Sequence, residues 1–535
     1  MDPTVHNHCL TSVSDSVGGN ITWTYDTVSS GHHPRVQETT TPGTVTVEYD
    51  EIGRRLKLSA TGQTDVTYTY DKNSRLKTVA QGTQTVTLAY DNAGRRTSLT
   101  YPNGVVTSYG YDNANRLLSI DHIKTPTTIE TLTYVNDAAG NRIKLTRANA
   151  AATLIPQAVT NTAFDAANEQ TRFNSASTNL VYDNNGNLTS FTDASGTTTY
   201  TWNARNQLSA ISGPSLSASF VYDGLGRRSS KTINSATTGF WYDGDDVLAE
   251  LSGSTPTATY IRSLSIDEPF IRKQSGGDEF YQTDALGSAL GLTDASGSSN
   301  TTYTQEPFGK TTKTGPSTNA FQYTGREDDG TGLKYYRTRY YSAGLQRFIS
   351  EDLLPSGSNL YTYVLNSPIR YIDPLGLYQK DVHYDLTFWL ARQAGYSVND
   401  ARAIAGADQG VDDSWKTCPI MCGVQARQDW HFTDNLRRSD LWNNAVQSGN
   451  LTALGQFLHA QQDAYSHRGY DAEWGHARHG TAPDIACRRP ELAIKMAQDT
   501  YTYLRVFRQM QTGALVPDQW QQLEITVGRK IRDCK

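Results

Sequence analysis

Alternating polar and apolar residues govern the greater part of the chain. Thr44-Val45-Thr46-Val47-Glu48-Tyr49 and Thr85-Val86-Thr87-Leu88-Ala89-Tyr90 each put every second side chain on one face, the rhythm of a half-buried β-strand. Each such segment ends in Tyr-Asp and then a turn with Gly or Asn, where Asp can bond its own backbone and Gly accepts a positive φ. Past Asp373-Pro374-Leu375-Gly376-Leu377 the rhythm becomes helical. Leu386, Trp389 and Leu390 fall at helical spacing between His383 and Ala394, with Gly395 as a stop. Ser397-Val398-Asn399-Asp400 has the form of a capping box with Asp in place of Glu. It leads into Ala401, Ile404, Ala405 and Asp408. A third helix is predicted from Leu451 to Tyr470, packing through Leu454, Phe457 and Leu458, and a fourth from Glu491 to Met510.

The strand-and-turn unit repeats. Tyr49-Asp50, Tyr70-Asp71, Tyr90-Asp91 and Tyr111-Asp112 stand 21, 20 and 21 residues apart, each followed by Arg (Arg54, Arg75, Arg95, Arg116). Tyr182-Asp183, Trp202-Asn203, Tyr222-Asp223 and Tyr242-Asp243 follow at intervals of 20. A fixed period means one supersecondary unit stacked on copies of itself, with each Tyr offering its face to the Tyr of the next unit and its hydroxyl to water.

These residues resemble the rearrangement-hotspot (Rhs), or YD-repeat, family. The likeness sharpens at Tyr281-Gln282-Thr283-Asp284-Ala285-Leu286-Gly287-Ser288, Glu306-Pro307-Phe308-Gly309, Tyr323-Thr324-Gly325-Arg326-Glu327 and Gly332-Leu333-Lys334-Tyr335-Tyr336-Arg337-Thr338-Arg339-Tyr340-Tyr341. The resemblance implies repeats wound into a β-shell around a C-terminal toxin, and a segment ending in Asp-Pro-x-Gly-Leu that closes the shell and cuts the chain. Arg339, Asp352 and Asp373 stand where that family places its Arg and two Asp residues, which puts the cut after Leu377. Two neighbouring carboxylates do not both ionise easily, so such a pair offers an acid and a base together, and Arg339 suits the ionised member. One departure is Asp352-Leu353, where the family has Asp-Pro.

In the helical part, His459, Asp463 and His467 at i, i+4 and i+8 form one stripe drifting about 40° per step. Six of the eleven histidines lie after Leu377. Imidazole with carboxylate suits zinc first and manganese or iron second. The stretches around His383, Ile404–Asp413, Leu454–His467 and Gly475-His476-Ala477 resemble the zinc-dependent phospholipase C superfamily, an all-helical fold that also holds single-strand nucleases. That resemblance implies two or three zinc ions on His383, Asp412, His431, His459, Asp463, His467 and His476, with Asp463 a candidate bridge. Asp408, Asp413, His479, Asp484 and the amino group released at Tyr378 are further candidates. No Glu completes the family's His-x-x-x-Glu pair, since 480 is Gly and 483 is Pro.

The expected fold is therefore multidomain, an all-β YD-repeat shell followed by an all-α metal-binding domain. Residues 1–265 carry the repeats of an open shell, 266–377 the self-cleavage segment and 378–535 the helical toxin domain. The expected function is a polymorphic toxin of bacterial competition that cuts itself and releases a metal-dependent phosphodiesterase. Its substrate is membrane phospholipid, or nucleic acid; a non-catalytic cell-surface repeat protein is the alternative from another class. The family likeness implies a cognate immunity protein and a secretion system's delivery machinery as partners. Lys plus Arg against Asp plus Glu is 30 to 36 before Tyr378 and 18 to 18 from it onward, so charge alone points to no nucleic acid. The start has no basic segment followed by an apolar run, so signal-peptide-independent secretion is expected. Cys418, Cys422, Cys487 and Cys534 cluster late and fit either disulfides or reduced thiols.

Overall fold

In the computed structural model, described residues are 11–26, 35–138, 140–150, 155, 158–352, 359–374, 376, 386–413, 433–466, 490–520 and 523. They form two compact units. One holds the chain up to Glu351 together with Tyr361–Gly376, and the other holds Asp352–Leu360 and the chain from Leu377 onward.

The first unit is antiparallel β throughout. A 13-stranded sheet runs in chain order from Ser12–Asp15 to Arg142–Arg147, and a 14-stranded sheet runs likewise from Asn179–Tyr182 to Thr311–Thr314. Chain-order pairing follows from the period: each unit is a hairpin that can only stack on the next. The alternation is realised, with Val45 and Val47 inward, then Val86 and Leu88. Each such residue contributes about 1.5–3 kcal/mol of burial. Both sheets feed one core, where Val79, Val86 and Leu99 meet Trp241, Leu251, Ile271 and Phe280. Pairing is continuous across the expected boundary at 265/266, because Thr255–Arg262 and Pro269–Gln274 are bonded neighbours. A four-stranded sheet of Glu327–Asp328, Lys334–Tyr336, Arg339–Ser342 and Arg347–Phe348 completes the unit.

The turns explain the Tyr-Asp signature and correct the expected ring-on-ring stacking. Asp91 Oδ1 accepts the backbone N–H groups of Ala93 and Arg95, each at 2.9 Å, and Asp91 Oδ2 accepts Arg95 Nε at 2.6 Å. The guanidinium so fixed lies 4.8 Å from the ring centroid of Tyr111 in the next repeat, within cation–π range. The Tyr111 hydroxyl donates back to the Arg96 carbonyl at 3.0 Å. Arg54 with Tyr70 and Arg75 with Tyr90 repeat the arrangement at 4.6 Å. The partner of these three rings is thus a cation, and their hydroxyls donate to the main chain. The backbone N–H donated by Arg75, Arg95 or Arg116 holds the Asp71, Asp91 or Asp112 carboxyl below its ordinary range.

Ion pairs tie sheet to sheet: Arg55 to Asp243 at 2.5 Å, Arg96 to Glu268 at 2.5 Å and Arg227 to Glu38 at 2.7 Å. His122 bridges them as well. Its Nδ1 lies 2.8 Å from the Thr107 hydroxyl and its Nε2 lies 3.1 Å from the Thr283 carbonyl. A carbonyl only accepts, so Nε2 carries the proton and Thr107 donates to Nδ1.

The second unit, described separately, is helical: α1 (Thr387–Gln393), α2 (Val398–Asp413), α3 (Asn435–Ser448), α4 (Leu451–Ser466) and α5 (Pro490–Thr512). Ser397 caps α2 as expected, its Oγ accepting Asp400 N–H at 3.1 Å and donating to Asp400 Oδ2 at 2.7 Å. Leu454, Phe457 and Leu458 are buried on α4, also as expected. Helix α3 goes beyond the sequence expectation. Asp434 caps it by accepting Arg437 N–H at 2.7 Å, and Gly449 ends it at φ +62°.

Burial pushes the His122 imidazole down to about 4 from 6.5. A base whose folded pKa is lowered gives stability that is whole above 6.5 and lost as pH falls from there toward 4. The loss is on the order of 3 kcal/mol. Glu169, raised to about 7 by burial and then by its bond to Asp165, acts in the opposite direction, so the His122 contribution is read as a difference between proteins. The His122→Gln variant should lose less stability than wild type when denaturant midpoints are measured between pH 7 and pH 4.5. Parallel curves would contradict the assignment.

Candidate functional sites

The sequence-predicted cleavage residues divide between the two units. Arg339 and Asp373 lie together in the first, both buried. Arg339 Nη2 is 3.3 Å from Asp373 Oδ2, its Nε donates to the Gly376 carbonyl, and its guanidinium stands 3.5 Å over the Phe348 ring. Asp352 is buried in the second unit, its N–H donating to the Leu360 carbonyl at 3.0 Å. Leu377 and Tyr378, the residues of the expected cut, lie outside the described residues.

Two neighbours of Arg339 grip the same turn. The Thr338 hydroxyl donates to the Gly376 carbonyl at 2.9 Å, and Arg337 Nη1 donates to the Pro374 carbonyl. Arg337 is itself anchored to Asp267 Oδ1 at 2.8 Å and to Asp246 Oδ1 at 3.0 Å, and Arg326 pairs with Asp267 at 2.5 Å. Those carboxylates hold Arg337 above its ordinary pKa against the cost of burial. Gly376 has φ +69°, and a Cβ there would come within 2.3 Å of the Tyr336 carbonyl oxygen. Only glycine fits.

In the helical unit, α2 and α4 approach closely because residue 455 is glycine: a Cβ there would lie 2.3 Å from the Ile404 carbonyl oxygen and 2.9 Å from Asp408 N. The approach sets His459 of α4 beside Asp408 of α2. Asp408 Oδ1 is 3.5 Å from His459 Nδ1, and Asp463 Oδ2 is 3.3 Å from His459 Nε2. Asp408 and His459 have no exposed surface and Asp463 is 3% exposed, so the pair on α4 is no solvated helix-surface pair. Thr387 Oγ1 donates to Asp408 Oδ2 at 2.6 Å, and Gln462 Nε2 donates to Thr387 Oγ1 at the same distance.

Of the other metal candidates, Asp412 and Asp413 end α2 with side chains outside the described part. His383, His431, His467, His476, His479, Asp484 and Tyr378 are outside the described residues altogether, as are the four late cysteines. Among the described residues no three ligand-type side chains converge. The reason is visible at His459: its two aspartates face opposite ring nitrogens, and an imidazole gives one nitrogen to one ion. Among the described residues, His459 Nε2 and Asp463 Oδ2, 3.3 Å apart, are the two donors that could face one cation, fewer than a zinc-class ion takes. Arg337, Thr338, Thr387 and Gln462 were not legible as site residues, since nothing in their spacing marks a ligand or an acid.

The chain belongs to the Teneurin YD-shell family, whose model matches residues 16–128 and 105–369. Residues 378–435 match a family of unknown function, DUF6765. The chain is 31% identical over 138 residues to the tRNA3(Ser)-specific nuclease WapA of Bacillus spizizenii, and 34% identical over 108 residues to the toxin subunit YenC2 of Yersinia entomophaga. These stretches cover 24% and 19% of this chain but 6% and 11% of those proteins. The crystal structure of TcdB2-TccC3-Cdc42 is similar with a TM-score of 0.50 at 18% identity, over 68% of this chain and 24% of that one. This last likeness bears on the fold alone.

Thr387→Val keeps the side chain's shape and removes both the donor to Asp408 and the acceptor of Gln462. Leaving buried polar groups unpaired costs about 1–3 kcal/mol, so the helical unit should melt several degrees lower by circular dichroism. An unchanged melting curve would show that the Thr387 bonds are not part of the unit's stability.

Proposed function

We propose that this chain is the shell-and-effector part of a secreted toxin. Its first unit cuts the chain after Leu377, and its helical unit is a metal-dependent phosphodiesterase. The observation that carries the reading is the buried His459 flanked by Asp408 and Asp463, a costly arrangement for a purely structural core. The toxin-subunit relatives support toxin delivery machinery as a partner; a cognate immunity protein is proposed as a second.

In the proposed cut, water adds to the Leu377 carbonyl carbon while the Asp373 carboxylate takes its proton, and the same carboxyl then gives that proton to the Tyr378 nitrogen as the C–N bond breaks. A carboxylate ends at Leu377 and an amine begins at Tyr378. Arg339 holds the Asp373 carboxyl group and the Gly376 carbonyl in place.

In the helical unit, His459 Nε2 and Asp463 would hold the ion, and the carboxylate of Asp408, fixed by Thr387, would orient the ring from Nδ1. When bound, such an ion supplies Lewis acidity toward a phosphoryl oxygen. Membrane phospholipid is the proposed substrate, because the 18 to 18 charge balance gives this part no basic surplus for a polyanion. The tRNA specificity of the similar nuclease WapA makes nucleic acid the second arm of the test.

The purified protein should carry zinc and turn over phosphatidylcholine vesicles. Asp463→Asn should lose both while its helical circular dichroism stays, since an amide is a poor replacement for an anionic ligand. Turnover of single-stranded DNA or tRNA alone would move the substrate to nucleic acid. Zinc content equal in wild type and a folded Asp463→Asn protein would contradict the site.

A further inference from the structure

We infer that the hairpin turn Arg337-Thr338-Arg339 is a clamp for the Asp373–Gly376 segment, with Thr338 as a positioning residue and Gly376 as its specificity determinant. The inference deepens the self-cleavage reading and rests on it for its consequence, though not for its geometry. Three consecutive side chains take hold of three residues, Asp373, Pro374 and Gly376. Arg337 bonds the Pro374 carbonyl, Thr338 bonds the Gly376 carbonyl at 2.9 Å, and Arg339 bonds both that carbonyl and the Asp373 carboxylate, the latter at 3.3 Å.

The Gly376 carbonyl therefore has two donors, which hold that oxygen in place one residue before the proposed cut. The clamp does not give way easily. Arg337 sits at φ +60° and spans Asp246 and Asp267, while the Arg339 guanidinium stands 3.5 Å over the Phe348 ring centroid. Selectivity comes from contact, because the Tyr336 carbonyl, the Thr338 hydroxyl and Arg339 N would stand 2.3, 2.9 and 3.1 Å from any Cβ at residue 376. Positioning a reacting bond is a recognised source of rate, since small misplacements are costly.

The test uses the full chain and two readouts. In pulse-labelled cell-free synthesis, Thr338→Val, which keeps the shape and loses the hydroxyl, should cut about five- to tenfold more slowly, as expected for one lost hydrogen bond. Thr338→Ser should restore the rate, and Gly376→Ala should stop cleavage. Hydrogen exchange followed by mass spectrometry of the peptide spanning 371–377 should be faster in Thr338→Val and return to wild type in Thr338→Ser. Exchange in the repeat sheets serves as the folding control. If the wild type stays uncut while exchange responds in this way, the clamp stands and the cleavage reading fails. Exchange and cutting rate both unchanged in Thr338→Val would overturn the clamp.

Discussion

The first unit depends on one contact made again and again: an aspartate that pins an arginine against the tyrosine of the following repeat. The aspartate satisfies two backbone N–H groups of its own turn, as Asp50 does for Ile52 at 3.1 Å and Arg54 at 2.8 Å. The arginine then crosses to the next ring, and that ring's hydroxyl returns a bond to the main chain, as Tyr70 does to the Arg55 carbonyl at 2.8 Å. Local turn geometry and stacking between repeats are thus one interaction. Where Arg gives way to an amide the turn bond persists without the cation, as in Asn141 to Asp137 at 2.8 Å. Where it gives way to Glu169 opposite Asp165, two carboxyls share the turn and burial raises one of them.

The period, the alternation and the Tyr-Asp spacing made this part of the fold legible, because each is a repeated local constraint. The ring's partner was not legible, since a Tyr every 20 or so residues fits a ring, water or a cation equally well. Among the helices, α2 and α4 follow from apolar spacing and from Ser397. Helix α3 has few regular apolar positions, and only Asp434 and Gly449 at its ends announce it. The pair His459 and Asp463 was readable from i and i+4 spacing. Its burial was not, because that comes from Gly455 admitting the backbone of α2, a contact between segments about 50 residues apart in the chain.

Two buried polar systems stand at the places of the proposed chemistry, and they are built differently. In the first unit, Arg326, Arg337 and Arg339 alternate with Asp246, Asp267 and Asp373, so positive and negative groups neutralise one another around the Asp373–Gly376 turn. In the helical unit, carboxylates flank a histidine, and the donors come from neutral Thr387 and Gln462. The first is the place of the proposed cut and the second that of the proposed cation. The family match that ends at 369 and the one that begins at 378 leave the turn between them.

The central claim is that the first unit holds this turn in order to cut the chain after it. Intact-mass measurement of the freshly purified full chain, beside Asp373→Asn, tests that most directly. Wild type should appear as two polypeptides, one ending at Leu377 and one beginning at Tyr378, and Asp373→Asn as a single chain. A wild type of undivided mass, or the same Tyr378 fragment from Asp373→Asn, would contradict it.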